Sequence, residues 1–272
     1  MIKCMVFIVC TLCLMASTYA NTHKTQLLFG VVPQQSPQKL AATWGPLLNE
    51  VSEQTGVDLV FATAKDIPTF EKNVSDGVYD IAYMNPYHYV EFSKAPGYRA
   101  IVKQMGKKII GIIVISKRGD VSSLKDLQNK SIAFPAPAAF AASIIPQSFL
   151  ERVNIEYQPV YVSSHDSVYM NVARGFLPAG GGIIRTLNAL PDNIRNELDI
   201  MWQSDAFSPH AIAVHPRLSN MEHERLRQGF LSINGNKYQS VLSAINFKGF
   251  ESAEDDNWND VRTLDISHQL NR

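Results

Sequence analysis

Residues 80–89 read Asp80-Ile81-Ala82-Tyr83-Met84-Asn85-Pro86-Tyr87-His88-Tyr89. Asp80 to Tyr83 suits a short strand. Asn85 before Pro86 suits a helix N-cap with proline in the first turn, where its missing N–H breaks no helical bond. The same strand-to-helix corner recurs on both sides. Gln26 to Val32 is an apolar strand, Ser36-Pro37 opens a helix carrying Leu47, Leu48 and Val51, and Gly56 closes it. Val57 to Ala62 is the next strand, and Asp66-Ile67-Pro68 starts another helix.

Downstream the pattern restarts. Ile109 to Ser116 is a β-branched strand, Ser122-Ser123-Leu124 begins a short helix, and Lys130 to Phe134 is a strand. Ala138 to Arg152 reads as helical with a kink at Pro146. Tyr157 to Val162 is a strand, and Ser164 caps a helix ending at Gly175. Ile200 to Gln203 and His210 to His215 are late strands, followed by two or three helices ending near Trp258. Strands alternating with helices at this spacing predict βαβ units and a mostly parallel sheet. The order suits two α/β lobes joined by crossover strands near residues 102–112 and 200–212. The first lobe then takes residues 21–107 and 204–272, and the second takes 108–203.

Residues 1–20 carry Lys3, an apolar run from Met5 to Met15, and Thr18-Tyr19-Ala20, the three parts of a cleavable export signal. All three cysteines (Cys4, Cys10, Cys13) fall inside it, so the chain from residue 21 has neither disulfide nor thiolate chemistry. Lys+Arg and Asp+Glu balance at 25 each over 272 residues, which excludes the clustered basic surface that nucleic acid requires. No stretch after the leader approaches a membrane-spanning length. The expectation is a periplasmic monomer, free in solution.

In open α/β sheets, ligands sit beyond the carboxyl ends of strands, beside helix N-termini. Four such corners carry the candidate residues. Tyr83, Asn85 and Tyr87 either bind a ligand or cap and pack. Asp66 accepts a ligand hydrogen bond or only caps its helix. Ala138, Ala139 and Phe140 offer a close backbone approach with an aromatic wall, or form an ordinary packing helix. His165, in Ser163-Ser164-His165-Asp166-Ser167, stands at a helix start, where it donates to an anion or serves structure. Gly181, in Gly180-Gly181-Gly182, permits close approach, but no Gly-Lys-Ser/Thr follows to make a phosphate loop. His210 and His215 are an odd number of residues apart and point to opposite strand faces, so packing rather than shared metal ligation is expected. Neither His-Glu-x-x-His nor Gly-x-Ser-x-Gly occurs, so no enzyme, metal or cofactor is expected.

Trp44-Gly45-Pro46-Leu47, Gly77 to Ala82 with Asn85-Pro86-Tyr87-His88-Tyr89, Ser123-Leu124-Lys125-Asp126-Leu127 and Ser163 to Val168 occur in that order. Together they resemble the phosphate/phosphite/phosphonate (PhnD-like) periplasmic binding proteins of ABC transporters. The resemblance runs from Phe29 to Trp258. It implies a type II periplasmic binding fold, with two α/β lobes on a two-strand hinge closing over a cleft. It also implies hand-over of a small ligand to a membrane permease; service to a sensor histidine kinase and an enzyme on the same fold are the alternatives. His165 matches the family's anion-binding histidine. Ile67 stands where the family has tyrosine, Pro137-Ala138-Ala139-Phe140 stands where it has Ser-Thr-Ser, and the late acidic position falls in the glycine run. Weak or absent 2-aminoethylphosphonate binding follows.

Overall fold

The path of the chain between two sheets explains their strand directions. The computed structural model describes residues 26–264, so the leader reading of residues 1–20 lies outside the described residues. β1 (Gln26–Val31), α1 (Pro37–Thr55), β2 (Asp58–Thr63), α2 (Ile67–Ser75), β3 (Ile81–Met84), α3 (Pro86–Lys94) and β4 (Arg99–Gln104) come first. The chain then crosses to β5 (Gly111–Ser116), β6 (Lys130–Phe134), α4 (Ile145–Arg152), β7 (Tyr157–Tyr161), α5 (His165–Ala173), β8 (Ala179–Ile183), α6 (Ile184–Asn188), α7 (Asp192–Arg195) and β9 (Leu198–Gln203). It returns through β10 (Ala211–Val214), α8 (Asn220–Ser232), α9 (Gln239–Ala244), β11 (Phe250–Ser252) and α10 (Asn259–Arg262).

The first sheet has the order β11-β4-β10-β3-β1-β2 and the second β7-β6-β8-β5-β9. β1 runs parallel to β2 and β3, and β6 runs parallel to β7 and β8. The other pairings are antiparallel: β10 with β3 and β4, β11 with β4, and β5 with β8 and β9. The expectation of a mostly parallel sheet is therefore corrected. β4 leads out of the first sheet while β10 leads back in, and β5 enters the second while β9 leaves it. Neighbouring strands that carry the chain in opposite directions must pair antiparallel. Between the sheets this ribbon continues as the hinge, where the Ile109 and Phe207 N–H groups each donate to the other's carbonyl at 2.8 Å.

Caps and turn residues place the helices. Ser36 caps α1 through Oγ to the Lys39 N–H, and Gly56 ends it in the left-handed region (φ 70) that glycine adopts without steric penalty. Asp66, Asn85 and Ser164 cap α2, α3 and α5 with their side chains. Two readings need correction. The segment expected as one helix over 138–152 begins as a π-helical turn, Phe140–Ile144, that runs into α4, and Pro146 sits in the first α turn rather than at a kink. The helix expected at Ser122 is a 3-10 turn over Leu124–Leu127.

The core of the first lobe gathers Phe29, Trp44, Leu47, Leu48, Val51, Phe230 and Phe250 between the sheet and its helices, all buried. Ala138, Phe140, Ile144 and Ile145 from the second lobe join that same apolar cluster. Phe140 meets Phe207 of the hinge edge-on, with ring centroids 5.8 Å apart. The two lobes thus share packed apolar surface beside the hinge.

Candidate ligand-binding cleft

At the end of β3, the Asn85 backbone is extended (φ −68, ψ 164) and its Oδ1 accepts the His88 N–H at 2.8 Å. That is the capping bond its sequence position predicts. Its Nδ2 turns the other way and donates to the Ala138 carbonyl at 3.0 Å, joining the first lobe to the second. Asn85 is buried, at 4% exposure, so both bonds lie in surroundings where an unmade one is costly.

Tyr83, on β3, is held between rings: Trp44 lies 4.6 Å away on one side, and His210 is nearly parallel at 4.9 Å. Burial pushes its hydroxyl pKa up, with the Arg185 charge a smaller opposing influence. The Gln34 side-chain nitrogen lies 2.9 Å from His210 Nε2, so the loop after β1 closes this stack. Tyr87, in the first turn of α3, is buried, and its hydroxyl pKa is raised by burial first and by Glu91 and Glu71 second. Asp66 Oδ1 accepts the Thr69 N–H at 2.8 Å, and the hydrogen bonds from Thr69 hold its carboxyl below the usual carboxylate range. These are the contacts of a helix cap, with Lys65 Nζ 3.9 Å from the other carboxylate oxygen.

The second lobe supplies a different surface. Ala138 and Ala139 are buried where the chain enters the π-helical turn, whose first amides lack helical acceptors. Phe140 is committed to Phe207 and the hinge rather than standing free as a wall. Gly181 lies under that turn: a Cβ there would sit 1.9 Å from the Ala142 carbonyl oxygen and 2.8 Å from the Phe134 ring. Its bareness lets β8 and the turn approach. Before α5, Ser163 takes a positive φ of 70. That turns the chain into the Ser164 cap, whose Oγ accepts the Ser167 N–H at 3.1 Å. His165 follows, partly exposed, with its Nδ1 buried and without a partner among the described residues. Burial first, and the Arg185 charge, bring its pKa down to about 4 against the opposing pull of Asp166. His210 is brought down to about 3 by burial, then Arg185, then His88. Both imidazoles are neutral at neutral pH, so each offers one N–H donor rather than a positive charge.

The sequence reading did not single out Arg185 or Gln34, and it expected His210 to pack, which the Tyr83 stack bears out. Arg185 is the second residue after β8 ends, so the strand-end rule that picked out Asn85 and His165 points to it as well. A separate cavity of about 580 Å³ lies on the outside of the first lobe, lined in part by Tyr89, Arg99, His223, Asp255 and Arg262. Its acidic side is already engaged, since Arg262 pairs with Asp255 at 2.6 Å and Tyr89 Oη donates to it at 2.8 Å.

Two α/β lobes on an antiparallel ribbon, with capped helix starts facing each other, define a solute-binding protein of the type II periplasmic class. The family described as "ABC transporter, phosphonate, periplasmic substrate-binding protein" matches residues 29–258, and the chain belongs to it. It is 22% identical over 237 residues to the phosphate-import protein PhnD of Mycolicibacterium smegmatis, covering 79% of this chain and 74% of that one. The binding protein component of an ABC phosphonate transporter from Pseudomonas aeruginosa superposes with a TM-score of 0.78 at 18% identity, over 90% of this chain and 87% of that one. PhnD1 from Prochlorococcus marinus in complex with methylphosphonate gives 0.78 at 18% identity, over 91% and 98%. The chain is thus a periplasmic substrate-binding protein for an ABC transporter of this family. Neither the histidine-kinase role nor an enzyme on this fold draws support from these likenesses. No helix among the described residues is long and apolar enough to cross a membrane.

Proposed function

We propose that this chain captures a small anionic solute of the phosphate and phosphonate kind in the cleft between its lobes and delivers it to a membrane permease. It acts as a monomer and transforms nothing. In this reading residues 1–20 are removed on export to the periplasm. Residues 21–107 with 204–272 form one lobe, and 108–203 form the other. Tyr83, Asn85 and Tyr87 approach the solute from the first lobe, with Asp66 at the rim. The Ala138–Phe140 amides and His165 approach from the second, seated over Gly181. Closure removes water and so strengthens each hydrogen bond made to the solute.

The observation that supports this best is the Asn85 donor lying 3.0 Å from the Ala138 carbonyl. Two strand-end corners that are far apart in sequence meet within one hydrogen bond, as hinge closure on a small solute requires. The test is a thermal-shift series with inorganic phosphate, phosphite, methylphosphonate, sulfate and amino acids. A phosphoryl or phosphonyl anion at one hundred times its Kd should add about 2.7 kcal/mol of stability. A flat response to every oxyanion would contradict the reading.

A further inference from the structure

Arg185 differs from the five arginines that are held by ion pairs. Arg118, Arg195, Arg217, Arg227 and Arg262 each hold a carboxylate. Arg185 is exposed and makes neither an ion pair nor a hydrogen bond among the described residues. It lies in the first turn of α6, directly after the glycine strand. Its charge acts on Tyr83 of the first lobe, on His210 at the end of the hinge and on His165 of the second lobe. The strand register places it: β8 ends with Ile183 opposite Gly111, just past the Ile109–Phe207 bridge of the hinge, so Arg185 leaves the second sheet at the end that faces the first lobe.

No carboxylate among the described residues pairs with it, in contrast to the five arginines above. Asp166, beside His165, acts on that imidazole but forms no ion pair with Arg185. A guanidinium that loses water on closure without a counter-charge is strongly unfavourable, and a bound oxyanion supplies that counter-charge in bidentate geometry. An ammonium in the same space meets the guanidinium as a like charge.

We propose that Arg185 is the specificity-determining residue of the cleft: it admits solutes that present an oxyanion without a neighbouring ammonium, and it turns aminoalkyl phosphonates away. This rests on the solute-capture reading above. Arg185 sets which anions enter, while Asn85, the Ala138–Phe140 turn and His165 set the geometry in which they are held.

The test is calorimetric titration of the purified protein at neutral pH with inorganic phosphate, methylphosphonate, phosphonoacetate and 2-aminoethylphosphonate. Wild type should bind the best of the first three roughly tenfold or more tightly than the last. Arg185→Ala and Arg185→Gln should bring the four within about threefold by weakening the anions, and Arg185→Lys should keep the order. Thermal melts of the ligand-free variants show that each is folded, and the glutamine variant serves if the alanine variant is not. The inference is overturned if wild type prefers 2-aminoethylphosphonate, if the order survives loss of the guanidinium, or if Asp166→Asn changes the order and Arg185→Gln does not. Heat from none of the four with wild type sinks the solute-capture reading as well, whereas binding without discrimination sinks this inference alone.

Discussion

The turn from β3 into α3 and the turn from β8 into α6 sit on opposite lobes and are built by opposite means. The first is built from side chains. Asn85 uses both ends of its amide, Pro86 fixes the first turn, and Tyr83 is clamped between Trp44 and His210. The second is built from missing side chains. Three glycines let the π-helical turn and α5 settle onto β8, Ile183 gives no side-chain cap, and Arg185 is left without a partner. A corner whose polar groups are satisfied within the protein provides shape. A corner that leaves a guanidinium unpaired waits for something to complete it. The division of labour across the cleft follows: the first lobe supplies a fixed wall, and the second supplies charge.

The comparison is broken most directly at the glycines. Gly181→Val should cost about 3 kcal/mol or more in urea denaturation, because the new Cβ would lie 1.9 Å from the Ala142 carbonyl. A change below 1 kcal/mol would show that the π-helical turn does not press on β8.

Acid should weaken both sides of the cleft. The unfolded chain protonates its histidines near pH 6.5, whereas His165 and His210 resist down to about 4 and about 3, chiefly through burial. The unfolded state therefore binds more protons between those values, and stability, full above pH 6.5, falls as pH drops toward 3. At about 1.4 kcal/mol per pKa unit, the loss from this pair should be on the order of several kcal/mol. His223, held to about 4 on the outer face of the first lobe, adds its own share. Denaturation curves of a His165→Gln/His210→Gln variant should show a shallower acid slope than wild type; an unchanged slope would place the effect elsewhere.

Asn85 separates the two jobs of the first corner. Asn85→Ala should lose about 1–2 kcal/mol, as other N-cap deletions do. Asn85→Asp keeps an acceptor for the His88 N–H but turns an oxygen toward the Ala138 carbonyl. It should therefore hold most of the stability while small-angle scattering shows a more open particle. Equal scattering from both variants and wild type would mean that this bond does not hold the lobes together. The smallest effect is expected far from the cleft. A Cβ at Gly45 inside α1 meets nothing within 4 Å, so Gly45→Ala should stabilise by about 0.5–1 kcal/mol.

Much of the framework was legible because caps act locally. Ser36, Asp66, Asn85 and Ser164 each announce a helix start through residues two or three positions ahead, and each caps one in the structure. What is non-local was not legible. The antiparallel ribbon at the hinge pairs segments about a hundred residues apart, and helix–strand alternation carries no information about it. His210 packs, as its spacing from His215 suggests, but the spacing does not say against what. Its partners are Tyr83 and Gln34, the latter 176 residues away. The glycine run suggested close approach, but the sequence does not say that the Ala142 carbonyl and Phe134, rather than a ligand, fill the space over Gly181. Arg185 was overlooked because a single arginine after a glycine run matches no motif.

The central claim is that one anion meets both corners at once. Titrating inorganic phosphate or methylphosphonate into isotopically labelled protein and following backbone amide shifts tests it directly. The account predicts that signals from Asn85 to Tyr87, from Ala139 to Phe140, from Ser164 to Ser167 and from Ile184 to Thr186 move together with a single Kd. Shifts confined to one lobe, or centred on the outer cavity beside Arg99 and Arg262, would contradict it.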